Sequence, residues 1–181
     1  MPFVFIPCPI AGLFEVQPKV FGDSRGYFFE CYSGRDFAGA GLSLNFVQDN
    51  QSLSQKGTLR GLHFQKNHPQ GKLVRAIQGE VFDVAVDIRP DSPTLGKWHG
   101  VVLSSEKQNQ LYIPPGFAHG FLALSDQVVF AYKCSDFYYP EDEGGIIWND
   151  PAIGIKWPDI GMAYSLSEKD KHLPGLISGD E

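Results

Sequence analysis

The chain has 181 residues, 43% of them hydrophobic and 13% aromatic, with 15 Lys+Arg against 21 Asp+Glu for a formal charge of -6. A chain of this length buries roughly 70% of the surface that its unfolded form exposes, which supports one self-sufficient domain over residues 1–181. The acidic balance and the lack of a Lys/Arg block leave no electrostatic footprint for general nucleic-acid or anionic-membrane binding, so any local cluster of cations marks a site.

The N-terminal run MPFVFIPCPIAGLFEV is apolar, but its prolines and the late first basic residue, Lys19, fit neither a signal peptide nor a membrane span. Cys8, Cys31 and Cys134 are odd in number and show no C-x-x-C spacing, so they read as reduced core thiols of a cytoplasmic protein. Period-two alternation between Gly and Pro punctuation predicts strands at 27–32, 46–54, 59–65, 72–78, 80–88, 99–103, 110–113, 119–124 and 127–134. In the 80–88 strand Phe82, Val84, Val86 and Ile88 share one face and Asp83 and Asp87 the other, the pattern of a strand half facing a core. Short helices are expected near 33–41, behind Ser33 as N-cap, and near 165–175. The segments SGRDFAGAGL and GLISGDE read as surface or interface elements. Many short strands and few helices imply an all-β closed barrel or two-sheet jelly roll.

Polar residues that interrupt the strand pattern are the informative ones, because an unpaired buried charge costs several kcal/mol. Arg60, His63 and Lys72 lie on or beside strands, a Pro-Pro-Gly turn delivers His119, and Tyr132 alternates with Phe130 and Cys134. A His, a Lys and a Tyr suit removal of a proton beside a carbonyl, with the His as base, the Lys on the enolate oxygen and the Tyr as acid. A hydrogen-bonded core histidine, a packed tyrosine and a solvated strand end account for the same residues. Arg60 and His63 point to opposite faces of a regular strand, so a shared site requires a twist or bulge, most simply at Gly61.

Gly57, His63 and the Pro114-x-Gly116-x-x-His119 turn resemble the two motifs of the cupin superfamily, whose fold is a small jelly-roll barrel. The second His of the first motif is replaced by Gln65 and no Glu follows at short spacing, too few ligands for zinc, iron or manganese. A cupin barrel without a metal is therefore expected.

The fragments FGDSRGYFFE, FVQDNQSLSQKGTLRGLHFQ, HPQGKLVRAIQGEVFDVAVDIRPDSPTLGKW, YIPPGFAHGFLAL, YKCSDFYYPEDEGGIIWNDPAIGIKWP and LSEKD together resemble the dTDP-4-dehydrorhamnose 3,5-epimerases nearly from end to end. That resemblance implies a cofactor-free homodimeric enzyme of dTDP-L-rhamnose biosynthesis. It would convert dTDP-4-keto-6-deoxy-D-glucose to dTDP-4-keto-L-rhamnose by inverting C3 and C5. His63 matches the base, Asp170 its partner, Lys72 the stabiliser of the enolate and Tyr132 the acid. Arg25, Arg60 and Lys169 match cationic positions for the nucleotide-sugar, and Glu30, Gln48, Asn50, His119 and Glu143 match polar lining positions. Phe21 and Tyr139 are candidates for packing on thymine. Asp49 falls within the same binding segment, but its side chain is expected on the opposite face of the strand. The alternatives are a single-centre 3- or 5-epimerase, a cupin ketoisomerase, a non-catalytic nucleotide-sugar binder and a metal-dependent cupin.

Overall fold

The computed structural model describes residues 2–176, so the end of the GLISGDE segment lies outside the described residues. Among the described residues thirteen strands run in chain order: β1 Phe3–Pro7, β2 Phe14–Pro18, β3 Phe21–Asp23, β4 Gly26–Phe28, β5 Gln48–Gln55, β6 Leu59–Gln65, β7 Lys72–Gln78, β8 Glu80–Asp87, β9 Trp98–Ser104, β10 Gln110–Ile113, β11 Phe117–Ala123, β12 Gln127–Cys134 and β13 Glu143–Gly145. Two short α-helices, α1 Gly34–Gly39 and α2 Glu168–Lys171, and a 3-10 turn at Pro140–Asp142 accompany them among the described residues. One antiparallel sheet has the order β1-β2-β10-β7-β12-β5, the other β13-β6-β11-β8-β9, and β3-β4 is a separate hairpin. Their apolar faces, with Val74, Leu111, Val128 and Phe130 from the first sheet and Val81, Ala85, Leu103 and Phe121 from the second, form one core, so the barrel is a jelly roll of the cupin type.

The predicted strands at 59–65, 72–78, 110–113 and 127–134 form with those bounds. The predicted strand at 27–32 pairs only over Gly26–Phe28; beyond it Tyr32 turns inward against Phe37 and Phe46, at 4.9 and 5.2 Å between ring centroids. Neither β1 nor β2 is among the strands that period-two alternation predicts, and Pro2, Pro7 and Pro9 interrupt the N-terminal run. Here Pro7 and Pro18 close their strands and β1 is a sheet edge, where a missing N–H is tolerated. Both predicted helices form around side-chain caps, with Ser33 Oγ accepting from Asp36 N and Ser167 Oγ from Asp170 N.

β8 corrects the expectation of a strand with one covered face. Val84 and Val86 pack outward beneath Ile146 and Ile153, with Phe82 against Trp157, while Asp83 and Asp87 are fully buried. Asp87 is satisfied by Arg89 Nε and Nη2 at 2.8 and 2.7 Å, by Arg89 N at 3.1 Å and by the Ser92 and Thr94 hydroxyls at 2.5 and 2.6 Å. Burial alone would raise its pKa, but the bonds from Arg89, Ser92 and Thr94 outweigh burial and hold it far below the usual carboxylate range. Because the folded state binds fewer protons here than the unfolded one, this stabilisation is complete above about pH 4 and is lost as pH falls toward the folded value. Asp87→Asn is expected to cost about 3 kcal/mol at neutral pH and to shrink the acid limb of a thermal midpoint against pH curve. An unchanged acid limb would contradict this.

The β6–β11 pairing supplies the bulge that the site requires. His119 lies opposite His63 and Phe121 opposite Arg60, so two steps on β11 face three on β6. Gly61 sits there with φ +120°, and a Cβ on it would lie 2.6 Å from Gly120 Cα and 2.8 Å from His119 O. The extra residue brings Arg60 to the same face as His63. Gly61→Ala is expected to destabilise the fold by about 1–3 kcal/mol and to lower kcat about 100-fold by displacing His63, measured by thermal unfolding and steady-state kinetics. Wild-type kcat in a folded Gly61→Ala protein would contradict the positional role of the bulge.

Candidate active site

Between the two sheets lies a cavity of ≈ 510 Å³. Arg60, His63 and His119 line it from the five-stranded sheet, Lys72, Phe130 and Tyr132 from the six-stranded sheet, and Ser167, Lys169 and Asp170 from the segment around α2. A second lobe of ≈ 310 Å³ shares His63, Lys72 and Tyr132 and adds Gln48, Asn50, Tyr138 and Glu143. Each is the size of a small-molecule site.

Residues after the barrel strands return to β6 through Leu59 N to Ser165 O at 2.9 Å and Ser165 N to Gly57 O at 2.8 Å, which seats α2 beside the bulge. Asp170 Oδ1 lies 2.7 Å from His63 Nε2, and Oδ2 accepts from Gly61 N at 3.2 Å. Asp170 is 4% exposed. Burial would raise its pKa, but the hydrogen bond and charge of His63, with Gly61 N and Ser167, outweigh burial and keep it ionised. An ionised carboxylate on Nε2 orients the ring and leaves Nδ1 as its proton acceptor.

Tyr132 stands between Asn50 of β5 and Val74 of β7 in the strand register. Burial raises its phenol pKa, as do Cys134 and Glu143, against a smaller opposing effect of Arg60, so the hydroxyl holds its proton at neutral pH. Lys72 lies opposite Cys134, with Nζ 5.9 Å from the Tyr132 ring centroid. Burial lowers its pKa, and Cys134, Asp83 and Glu143 oppose that shift. His119 Nε2 meets Asp83 Oδ2 at 2.8 Å, a second buried His–Asp pair. Asp83 Oδ1 is buried with no hydrogen-bond partner among the described residues.

The predicted residues divide into two groups. Arg60, Lys169, His119, Glu143, Gln48 and Asn50 line the cavity; Glu143 accepts from Lys169 Nζ at 2.5 Å and from the Tyr138 hydroxyl at 2.7 Å. Asp49 faces the outside of its sheet and pairs with Lys133 at 2.9 Å, as the strand alternation implied. Phe21 and Arg25 stand apart on the β3–β4 hairpin, Arg25 pairing with Asp23, and Glu30 is exposed beyond it. Tyr139 packs against His68 with ring centroids 4.3 Å apart, and its neighbour Tyr138 lines the cavity instead. Alternation gives no guide to which of two adjacent tyrosines in a loop turns inward. Asp83 lies on the face of β8 that alternation marks as polar, so the sequence carries no sign of its burial.

Gln65, where metal-binding cupins carry a second His, directs its amide to the backbone. Nε2 donates to His68 O at 2.7 Å and Phe137 O at 3.1 Å, and Oε1 accepts from Tyr139 N at 2.8 Å. With His63 and His119 each turning Nε2 toward a carboxylate, these three residues do not assemble a cupin metal donor set.

A sequence model described as dTDP-4-dehydrorhamnose 3,5-epimerase matches residues 7–178. An enzyme of that name from Methanothermobacter thermautotrophicus is 52% identical over 175 residues, covering 96% of this chain and 95% of the relative. One from Pseudomonas aeruginosa is 57% identical over 165 residues, covering 91% of each. Among solved structures, the dTDP-6-deoxy-D-glucose-3,5-epimerase of Legionella pneumophila in complex with dTDP-4-keto-L-rhamnose superposes with a TM-score of 0.95 at 49% identity, covering 98% of this chain and 95% of that one.

Proposed function

The chain belongs to the dTDP-4-dehydrorhamnose 3,5-epimerase family, and on that premise we propose that its cavity converts dTDP-4-keto-6-deoxy-D-glucose to dTDP-4-keto-L-rhamnose. The observation that carries the mechanism is that His63 and Tyr132 project into one cavity from facing sheets. C3 and C5 both flank the C4 ketone, so loss of a proton at either carbon places the electron pair on the same oxygen. His63 takes the proton from one face of the sugar, its imidazolium supported by Asp170. The Lys72 ammonium stabilises the enolate oxygen. Tyr132 then donates its proton to the opposite face of the same carbon, which inverts it, and repetition at the second carbon completes the reaction. Each inversion leaves a protonated His63 and a Tyr132 phenolate, and exchange with water resets both.

Arg60 and Lys169 supply the cations that a diphosphate requires in a protein of net charge -6. His119, Gln48, Asn50 and Glu143 hydrogen-bond the sugar and nucleotide. The protein acts as a single-domain homodimer: Phe21, Tyr27 and Phe28 are 51, 64 and 67% exposed on the β3–β4 hairpin, an apolar surface that a second copy covers. Phe21 and Arg25 on this hairpin then serve the neighbour's cavity. Three free thiols and a nucleotide-sugar substrate fit the cytoplasm, and among the described residues no helix is long and apolar enough to cross a membrane.

The test is incubation of the purified protein with dTDP-4-keto-6-deoxy-D-glucose and assignment of product stereochemistry from proton NMR couplings. Inversion at both C3 and C5 is expected. Inversion at one carbon would replace this reading with a single-centre epimerase, and binding without conversion would overturn catalysis altogether.

A further inference from the structure

Outside the lining of the cavity around His63, Cys8, Glu15 and His99 converge from three elements. Their ligand atoms, the Cys8 thiol sulfur, a Glu15 carboxylate oxygen and a His99 ring nitrogen, all lie within 4.8 Å of one another. None of the three lines the cavity around His63. Cys8 follows β1 and is fixed by the turn that Cys8 N to Leu13 O closes at 3.0 Å. Glu15 belongs to β2 of the six-stranded sheet, and His99 to β9, the outer strand of the five-stranded sheet.

Thiolate, imidazole and carboxylate together are the donor set of zinc and not of magnesium or calcium, which take oxygen alone. Bonds of about 2.0–2.3 Å in a tetrahedron put neighbouring ligand atoms roughly 3.3–3.7 Å apart. His99 Nε2 and Glu15 Oε1 already stand at 3.3 Å, and the Cys8 sulfur lies within 4.8 Å of a ligand atom of each. All three residues are partly buried, and water would complete the fourth position.

We propose that Cys8, Glu15 and His99 form a zinc site that ties the β1–β2 end of one sheet to the β9 edge of the other. The ion would link the two sheets at this seam and take no part in the epimerisation.

The test uses the full chain without an affinity tag, stripped with chelator and kept reduced, and titrated with Co²⁺ as a spectroscopic substitute. One equivalent is expected to bind with a near-ultraviolet thiolate-to-cobalt charge-transfer band and the intense visible bands of four-coordinate cobalt. Cys8→Ser is expected to abolish the charge-transfer band, and Glu15→Gln and His99→Ala to weaken binding at least roughly tenfold. Zn²⁺ is expected to displace Co²⁺ and to raise the thermal midpoint of the wild type but not that of Cys8→Ser. No charge-transfer band, or an undiminished band in Cys8→Ser, would overturn the site. So would an equal zinc-induced shift of the thermal midpoint in wild type and Cys8→Ser, or, if Cys8→Ser does not fold, unchanged cobalt affinity in Glu15→Gln.

Discussion

His63→Ala is expected to lower kcat by at least about 10³-fold, within the range by which a positioned general base accelerates proton transfer. His63 Nε2 lies 2.7 Å from the ionised Asp170, and the strand bulge at Gly61 aims the ring into the cavity. The substitution also leaves Asp170 buried without its ring partner, although Gly61 N and Ser167 still contact it. His63→Gln separates the two effects, because its amide nitrogen can take the place of Nε2 and donate to Asp170 but cannot carry the proton. The expected result is a thermal midpoint close to wild type and a kcat as low as that of His63→Ala. Turnover within tenfold of wild type in either variant, in a coupled assay of product reduction, would remove His63 as the base.

Tyr132→Phe is expected to divide the reaction at its midpoint. The ring keeps its place beside Phe130, 6.1 Å between centroids, and Lys72, so substrate binding and KM change little. What is lost is the proton that burial keeps on the phenol. Abstraction by His63 and return of a solvent proton to the same face continue, while inversion falls about 10²–10⁴-fold. Solvent exchange at the carbons flanking the ketone should therefore outrun inversion in this variant. If exchange and inversion fall together, Tyr132 acts before the enolate forms and is not the acid of the opposite face.

Much of this arrangement was legible in the chain because period-two alternation is strong where the barrel is built. The bounds of β6, β7, β10 and β12 follow from it. These strands carry His63, Lys72 and Tyr132, so the resemblance to the epimerases and the strand pattern converge on one cavity. The conflict between Arg60 and His63 on a regular strand pointed to Gly61, and the register slips there. Other features were hidden for physical reasons. Strands closed by proline read as loops, which concealed β1 and β2. A half-buried pattern and a strand covered on both faces look alike when the second face is polar, which concealed the Asp83–His119 pair inside the barrel. The choice of Tyr138 over Tyr139 rests on loop geometry at the 140–142 turn, which alternation does not encode. Phe21 and Arg25 lie on an exposed hairpin, and one chain alone shows no cavity that joins them to His63.

The most direct test of the two-centre mechanism is proton NMR of dTDP-4-keto-6-deoxy-D-glucose with the wild-type protein in deuterium oxide, repeated with His63→Ala. Solvent deuterium is predicted at both C3 and C5 of the product, and at neither carbon with His63→Ala over the same time. Deuterium at a single carbon, or incorporation undiminished without His63, would contradict one base serving two centres through a shared enolate oxygen.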